Sequence, residues 1–144
     1  MANSKAHAER IKQELRQAGV SRFGLLRFAI RYLPNLIHTN EHIGGVVYGR
    51  YRESEGAPSW EEGLLVATNR RVLFVDHKPG FLKSDEMSYE VVSGIRSSRA
   101  GPFSAITLYS KIGDFTILFA RNACVQKFVR YVEKRRLETS ADGR

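Results

Sequence analysis

Several residue types and patterns are scarce in this 144-residue chain, and each scarcity excludes a class of protein. The single cysteine, Cys124, cannot form an internal disulfide, so nothing indicates an oxidising compartment. No stretch approaches the roughly 18 to 20 uncharged apolar residues of a membrane span, and the first residues have no apolar signal-peptide core. We therefore expect a cytoplasmic protein, with association at a membrane surface as an alternative.

The overall composition is that of a folded domain. Hydrophobic residues make up 42% of the chain and charged residues 26%, which is close to globular averages and excludes collagen-like or wholly disordered chains. The length suits one domain with one core and is too short for two domains of ordinary size.

The positive charge lies at the two ends of the chain. Of the net charge of +8, residues 1–38 carry +5 and residues 122–144 carry +3, whereas residues 39–121 are neutral overall. We expect any anionic partner to meet the terminal segments rather than the central ones.

Residues 1–38 are predicted to form two basic helices. The first covers residues 4–18 and ends at Gly19, and the second begins at Ser21 and ends near Leu33 because Pro34 follows. The second helix is apolar over more than half of its circumference, so three placements stay open: packing on its own domain, an oligomer contact or a membrane surface. The candidate lipid or partner surface comprises Arg22, Phe23, Leu26, Arg27, Ile30 and Arg31.

After His38 the apolar period changes from 3.6 to 2, and β-branched and aromatic residues become frequent. Seven strands are predicted, over residues 43–51, 63–68, 71–76, 83–91, 95–98, 105–110 and 115–119. Gly44, Gly45 and Gly49 suggest bends or bulges in the first strand. The helical period returns over residues 122–137, and the polar residues 138–144 are predicted to be a frayed tail.

The element order and several segments together resemble the bacterial pleckstrin-homology-like (PH-like) family, of the YokE-like type. The segments are Leu65-Val-Ala-Thr-Asn-Arg-Arg-Val-Leu-Phe-Val-Asp76, Asp85-Glu-Met-Ser-Tyr-Glu-Val-Val-Ser-Gly-Ile95, Ile106-Thr-Leu, Phe115-Thr-Ile and Phe128. The resemblance implies a mainly β domain over residues 40–137, namely a seven-stranded, two-sheet, partly open antiparallel barrel capped by a C-terminal helix. It also implies self-association, since members of the family often form rings or other homo-oligomers.

The sequence motifs do not indicate catalysis. The first hairpin loop, Arg50 to Glu62, has too many glutamates for a phosphoinositide site, and we expect Trp60 to fold back on the barrel. His38-Thr-Asn-Glu-His42 fits the inverted zinc-protease motif H-x-x-E-H, but it lies at a helix–strand junction where the imidazoles would not share a helical face. Cys124 has no partner base in the sequence, and no phosphate-binding glycine loop is present. We therefore expect no enzyme activity, no metal and no cofactor.

We interpret the chain as a noncatalytic PH-like interaction module that self-associates or binds a protein or peptide. The first alternative is peripheral association with anionic lipid through the basic N-terminal helices. The second is nonspecific nucleic-acid binding, against which the neutral strands and the lack of a basic stacking platform argue.

Overall fold

The computed structural model describes residues 2–20, 27–51, 61–78 and 81–142. Helices α1 (Ala2–Gln17) and α2 (Arg27–Leu36) precede the strands, and helix α3 (Asn122–Asp142) follows them. The strands are β1 (Ile43–Tyr51), β2 (Glu61–Thr68), β3 (Arg71–Lys78), β4 (Phe81–Ser88), β5 (Val92–Ala100), β6 (Phe103–Ser110) and β7 (Phe115–Arg121). Within the described ranges, no helix is both long and apolar enough to cross a bilayer.

The seven strands form one open antiparallel sheet in the order β4-β3-β2-β1-β7-β6-β5. The halves β4–β1 and β7–β5 meet where Arg50 of β1 is opposite Leu118 of β7. The strand number, the antiparallel pairing and the closing helix confirm the predicted PH-like fold class. The packing of the strands as two sheets stays a prediction.

Strands β1, β2 and β3 are buried on both faces, because two hydrophobic cores lie on opposite sides of them. Successive residues such as Val46 and Val47, or Leu64 and Leu65, belong to different cores. The first core includes Val125, Phe128 and Val132 of α3. The second core contains apolar residues of α1, of α2 and of the positions that directly follow them, namely Ile11, Leu15, Ala18, Ala29, Ile30, Leu33 and Ile37. The N-terminal helices therefore pack on their own domain.

Gly44 allows α3 to approach β1 closely. A Cβ at this position would lie 2.0 Å from Cε2 of Tyr131, which is far inside contact distance. The register of β1 against β2 also shifts between Ile43 and Gly45, so the bulge predicted for this glycine-rich strand is confirmed at Gly44.

Helix α2 extends past the predicted end at Leu33 and includes Pro34 in its last turn. Proline removes one backbone hydrogen bond from a helix, but the next turn closes because the amide of Ile37 donates to the carbonyl of Leu33 at 2.9 Å. Leu33 and Ile37 are both buried, and this burial offsets the lost bond. The prediction that α2 ends near Leu33 is therefore wrong.

Strand β4 ends at Ser88, and residues 89–91 form a turn rather than the predicted end of the strand. The amide of Val91 donates to the carbonyl of Ser88, and that of Val92 donates to the carbonyl of Tyr89, so these backbone groups are bonded locally. The Tyr89 hydroxyl donates to the carbonyl of Thr68 at 2.5 Å and fixes the corner between β4 and β5.

Helix α3 continues to Asp142, five residues beyond the predicted end at Leu137. The sequence Glu-Thr-Ser-Ala-Asp contains no glycine or proline that would end the helix before Gly143. The residues predicted as a frayed tail are thus helical as far as Asp142.

Candidate functional site

Two strands of the open sheet have a neighbour on one side only in the described part of the chain. Strand β4 pairs with β3, and strand β5 pairs with β6. Such edges present unpaired N–H and C=O groups that can accept a further strand. Among the side chains that the structure describes, the exposed charges are Asp85 and Glu86 on β4 and Arg96 and Arg99 on β5. The two edges therefore differ in the sign of their exposed charges.

A polar cleft of about 440 Å³ lies between the start of β5 and the C-terminal half of α3. One of its cations, Arg136, donates from Nη2 to Glu133 at 2.8 Å, while its buried Nε has no acceptor among the described residues. The lining residues are Tyr89, Glu90, Val92, Lys111, Arg136, Thr139 and Ser140. The lining carries one carboxylate, Glu90, and two cations, of which Arg136 is already paired with Glu133, so the cleft suits a polar side chain better than an isolated anion.

The structure separates the six residues of the predicted lipid or partner surface. Arg22, Phe23 and Leu26 lie outside the described residues. Arg27 begins α2, and Arg31 is exposed. Ile30 is 4% exposed and belongs to the second core, so α2 would have to leave the sheet before Ile30 could meet a membrane. The contact through this surface stays a prediction.

The H-x-x-E-H segment has a structural role that its sequence did not indicate. Glu41 is fully buried, and its carboxylate accepts a bidentate pair of hydrogen bonds from Arg71, at 2.9 Å from Nε and 3.0 Å from Nη2. The Thr68 hydroxyl donates to the same carboxylate at 2.6 Å, and the His38 amide donates at 3.1 Å. Among the described residues, no group of three or more His, Cys, Asp or Glu side chains could hold a metal ion.

The pKa of Glu41 reflects these hydrogen bonds. Burial alone would raise it, but the bonds from Arg71, Thr68 and the His38 amide lower it to about 2. Arg71 also donates to Glu86 on β4 and, at 2.7 Å, to the carbonyl of Leu36 at the end of α2. This guanidinium therefore joins β3 and β4 to the segment between α2 and β1.

A second network attaches α1 to the same segment. Arg10 donates to Glu14 at 2.8 Å and to the carbonyl of Glu41 at 3.0 Å. Glu14 in turn accepts the amide of Ile43 at 2.9 Å and lies 2.8 Å from Nδ1 of His42. Burial would raise the pKa of Glu14, but these hydrogen bonds keep it below its ordinary value. His42 is therefore part of a helix-anchoring network.

Cys124 is buried near the start of α3, with its Sγ 3.5 Å from the carbonyl oxygen of Gly19. This position agrees with its interpretation as a small apolar residue. The prediction for Trp60 and the acidic first hairpin loop falls on residues outside the described ranges.

A family model for the bacterial PH domain matches residues 37–134. The chain belongs to the bacterial PH domain family. This match confirms the resemblance that the strand segments suggested. Family membership implies a protein- or lipid-binding module, and PH domains are generally noncatalytic. No curated protein matches the chain.

Solved structures show the same fold at low sequence identity. The C-terminal domain of an unknown protein from Leishmania infantum is 17% identical over 79% of this chain and 96% of that one, with a TM-score of 0.52. The Vps36 N-terminal PH domain is 13% identical over 73% of this chain and 86% of that one, with a TM-score of 0.51. The linker-DH/PH domains of p115-RhoGEF are 12% identical over 94% of this chain and 41% of that one, with a TM-score of 0.53. These likenesses concern the fold alone.

Proposed function

We propose that this bacterial PH domain is a noncatalytic, self-associating interaction module in which β4 of one copy pairs with β5 of the next. The observation that supports the proposal is the opposite charge of the two free edges. An exposed edge strand accepts another strand through its backbone, and side-chain charge then selects the partner. A copy of the same chain supplies the complementary edge.

The described halves of the two edges are accessible to such a partner. Ser84, Asp85 and Glu86 of β4 are exposed, as are the four residues from Arg96 to Arg99 of β5. Glu86 is partly engaged by Arg71, which leaves Asp85 as the main free carboxylate of this edge. Pairing of β4 with β5 is heterologous, so each copy keeps one edge free until a ring closes or a filament grows.

The test uses reversal of charge at each edge. Asp85→Arg places three cations across the interface, and Arg96→Glu with Arg99→Glu places carboxylates opposite Asp85. We expect each variant alone to be monomeric at micromolar concentrations at which the wild-type protein associates. The triple variant has both edges reversed, so its association should be restored.

Sedimentation velocity over a range of concentrations measures this outcome, and Glu62→Gln, at an exposed site on β2, is the control for loss of one carboxylate. A wild-type protein that stays monomeric throughout the micromolar range would contradict the proposal. Association of the triple variant no stronger than that of the single-edge variants would contradict the edge pairing itself.

A further inference from the structure

The turn between α2 and β1 has its carbonyl groups held by one side chain. Residues 38–41 form this turn, which is closed where the amide of Glu41 donates to the carbonyl of His38 at 3.1 Å. The Arg10 guanidinium of α1 donates to the carbonyls of His38, Thr39 and Glu41 at 3.3, 3.2 and 3.0 Å. Three carbonyl oxygens of the turn therefore face Arg10.

The amides of Thr39 and Asn40 point away from Arg10. The peptide bonds that precede these two residues are trans, and in a trans peptide unit the N–H and C=O groups point in opposite directions. The carbonyls of the same two units, from His38 and Thr39, face Arg10. Neither amide has an acceptor among the residues that the structure describes. Successive free N–H groups at a turn form a concavity that suits an anion.

The same turn lines an open cleft of about 640 Å³, a volume within the range of small-molecule sites. The turn between β2 and β3 contributes Arg70, which is exposed and whose guanidinium has no partner within the described ranges. The lining residues are Ser4, His7, Pro34, Ile37, His38, Thr39, Asn40 and Arg70, and none of them is acidic.

Arg70 is the one permanently charged side chain in this lining. The carboxylates that contact the turn and its neighbour Ile43 are already paired, Glu41 with Arg71 at 2.9 Å and Glu14 with Arg10 at 2.8 Å. The cleft therefore has a single uncompensated positive charge. A carboxylate carries one negative charge, whereas a phosphate monoester carries about two at neutral pH. The charge of the cleft matches a carboxylate.

The other wall of the cleft offers little further hydrogen bonding. His7 has both ring nitrogens engaged, because Nε2 donates to the carbonyls of Pro34 and Ile37 at 3.1 and 2.9 Å, while Nδ1 lies 3.3 Å from Arg10, which can only donate. The fixed imidazole, the Pro34 ring and the buried Ile37 make this wall suitable for an apolar or aromatic group.

We propose that the cleft binds a small soluble organic acid, whose carboxylate accepts the amides of Thr39 and Asn40 and pairs with Arg70. The two oxygens of a carboxylate have about four acceptor sites, enough for two amides and a bidentate guanidinium. The body of the acid lies against His7 and Pro34. The site includes neither free edge of the sheet, so it stands or falls separately from the self-association.

The test is a titration followed by amide-resolved NMR spectra of the full chain, with benzoate as the probe. We expect saturable shifts at the amides of Thr39, Asn40 and Arg70, with a dissociation constant of about 1 mM. Benzamide has the same body without the charge and should not bind, and phenyl phosphate should bind no more tightly than benzoate. The spectra are repeated with Asp85→Arg, whose cleft is unchanged, so that self-association does not obscure them.

Two substitutions at one position separate the backbone amide from the side chain. Thr39→Pro removes the amide donor, and proline suits the second position of a turn. This variant should weaken benzoate binding about tenfold or more, since a hydrogen bond to a charged group is lost. Thr39→Ala keeps the amide and should bind within about twofold of the wild type. Urea unfolding shows whether both variants keep the wild-type stability.

Replacement of the cation tests the charge of the site without altering the turn. Arg70→Gln should weaken benzoate binding about tenfold, because the bidentate, charged pair is lost. The matched control is Lys134→Gln, which removes one exposed charge from α3, outside the cleft lining. At physiological salt it should change binding by less than about twofold, because charges beyond a Debye length of about 8 Å are screened.

Four results would overturn the proposal. The first is the absence of saturable benzoate shifts at Thr39 and Asn40 up to about 20 mM, which is far above the expected dissociation constant. The second is binding of benzamide as tight as that of benzoate. The third is a folded Thr39→Pro or Arg70→Gln variant that binds as the wild type does. The fourth is phenyl phosphate that binds at least about tenfold more tightly than benzoate, which would indicate a dianion site instead.

Discussion

Replacement of Glu41 by glutamine is expected to destabilise the domain strongly at neutral pH. The Glu41 carboxylate is fully buried and accepts four hydrogen bonds, two of them from Arg71. Its pKa is lowered from 4.5 to about 2, and each pKa unit corresponds to about 1.36 kcal/mol, so ionisation of this group contributes about 3 kcal/mol to the free energy of unfolding. Glutamine would also point an amide N–H₂ group at the guanidinium and leave Arg71 with the exposed Glu86 as its remaining counter-charge.

The sign of the pH dependence follows from the lowered pKa. The stabilisation is complete above the ordinary pKa of 4.5 and is lost as the pH falls towards about 2, because the folded protein then takes up the proton that the unfolded chain already holds. The difference in unfolding free energy between wild type and Glu41→Gln should therefore be about 3 kcal/mol at pH 7 and shrink steadily below pH 4.5.

Urea unfolding from pH 7 to the lowest pH at which both proteins still fold measures this difference. Glu62→Gln, at an exposed position on β2, should change stability by less than about 0.5 kcal/mol. A loss below about 1 kcal/mol for Glu41→Gln, or a loss that does not vary with pH, would refute the assignment of a buried, ionised carboxylate.

Three further predictions concern packing. Gly44→Ala should lower the free energy of unfolding in urea by at least about 2 kcal/mol, because its Cβ would meet the Tyr131 ring. The control Gly94→Ala, whose Cβ would have its nearest atom 4.0 Å away, should lower it by less than about 1 kcal/mol. Equal losses would contradict the close approach of α3. Leu15→Ala should cost about 2 to 5 kcal/mol by the same measurement, since Leu15 is fully buried, and a change within about 0.5 kcal/mol would mean that α1 does not pack on the sheet. A chain that begins at Thr39 should aggregate and show no cooperative unfolding transition, because it exposes the apolar outer face of β1–β3. A stable, monomeric product would contradict the second core.

The strands were predictable because their apolar period and turn residues are local signals. The hairpin at Asn69-Arg70 follows from two adjacent β-branched runs, and residues 65–76 carry the family resemblance as well. The end of β4 was less predictable, since Tyr89 and Val91 have strand-forming side chains, and the long-range bond from Tyr89 to Thr68 helps to fix the turn that the local backbone bonds close.

The candidate surfaces were harder to predict, because they depend on contacts between residues far apart in the chain. Glu41 and Arg71 are separated by 30 positions, and nothing local in the H-x-x-E-H segment indicates a buried ion pair. Likewise, Ile30 lies on an apolar stripe that would suit a membrane or a sheet equally well. The choice depends on the outer face of β1–β3, which is apolar and is buried by α1 and α2. The basic face of α3 was visible in the sequence, but the pairing that cancels Arg135 and Arg136 was not.

The two cores also differ in when they can be completed during synthesis. Every buried member of the second core lies between Ile11 and Val75, so all of them have been synthesised before β4 begins at Phe81. The first core also requires Phe128 and Val132 of α3, which follow all seven strands in the chain. Until then, the apolar side chains on the other face of β1–β3, such as Val47 and Phe74, have no helix to cover them and form a surface prone to aggregation. The ribosome thus produces a half-covered sheet first, and the arrival of α3 ends that exposure.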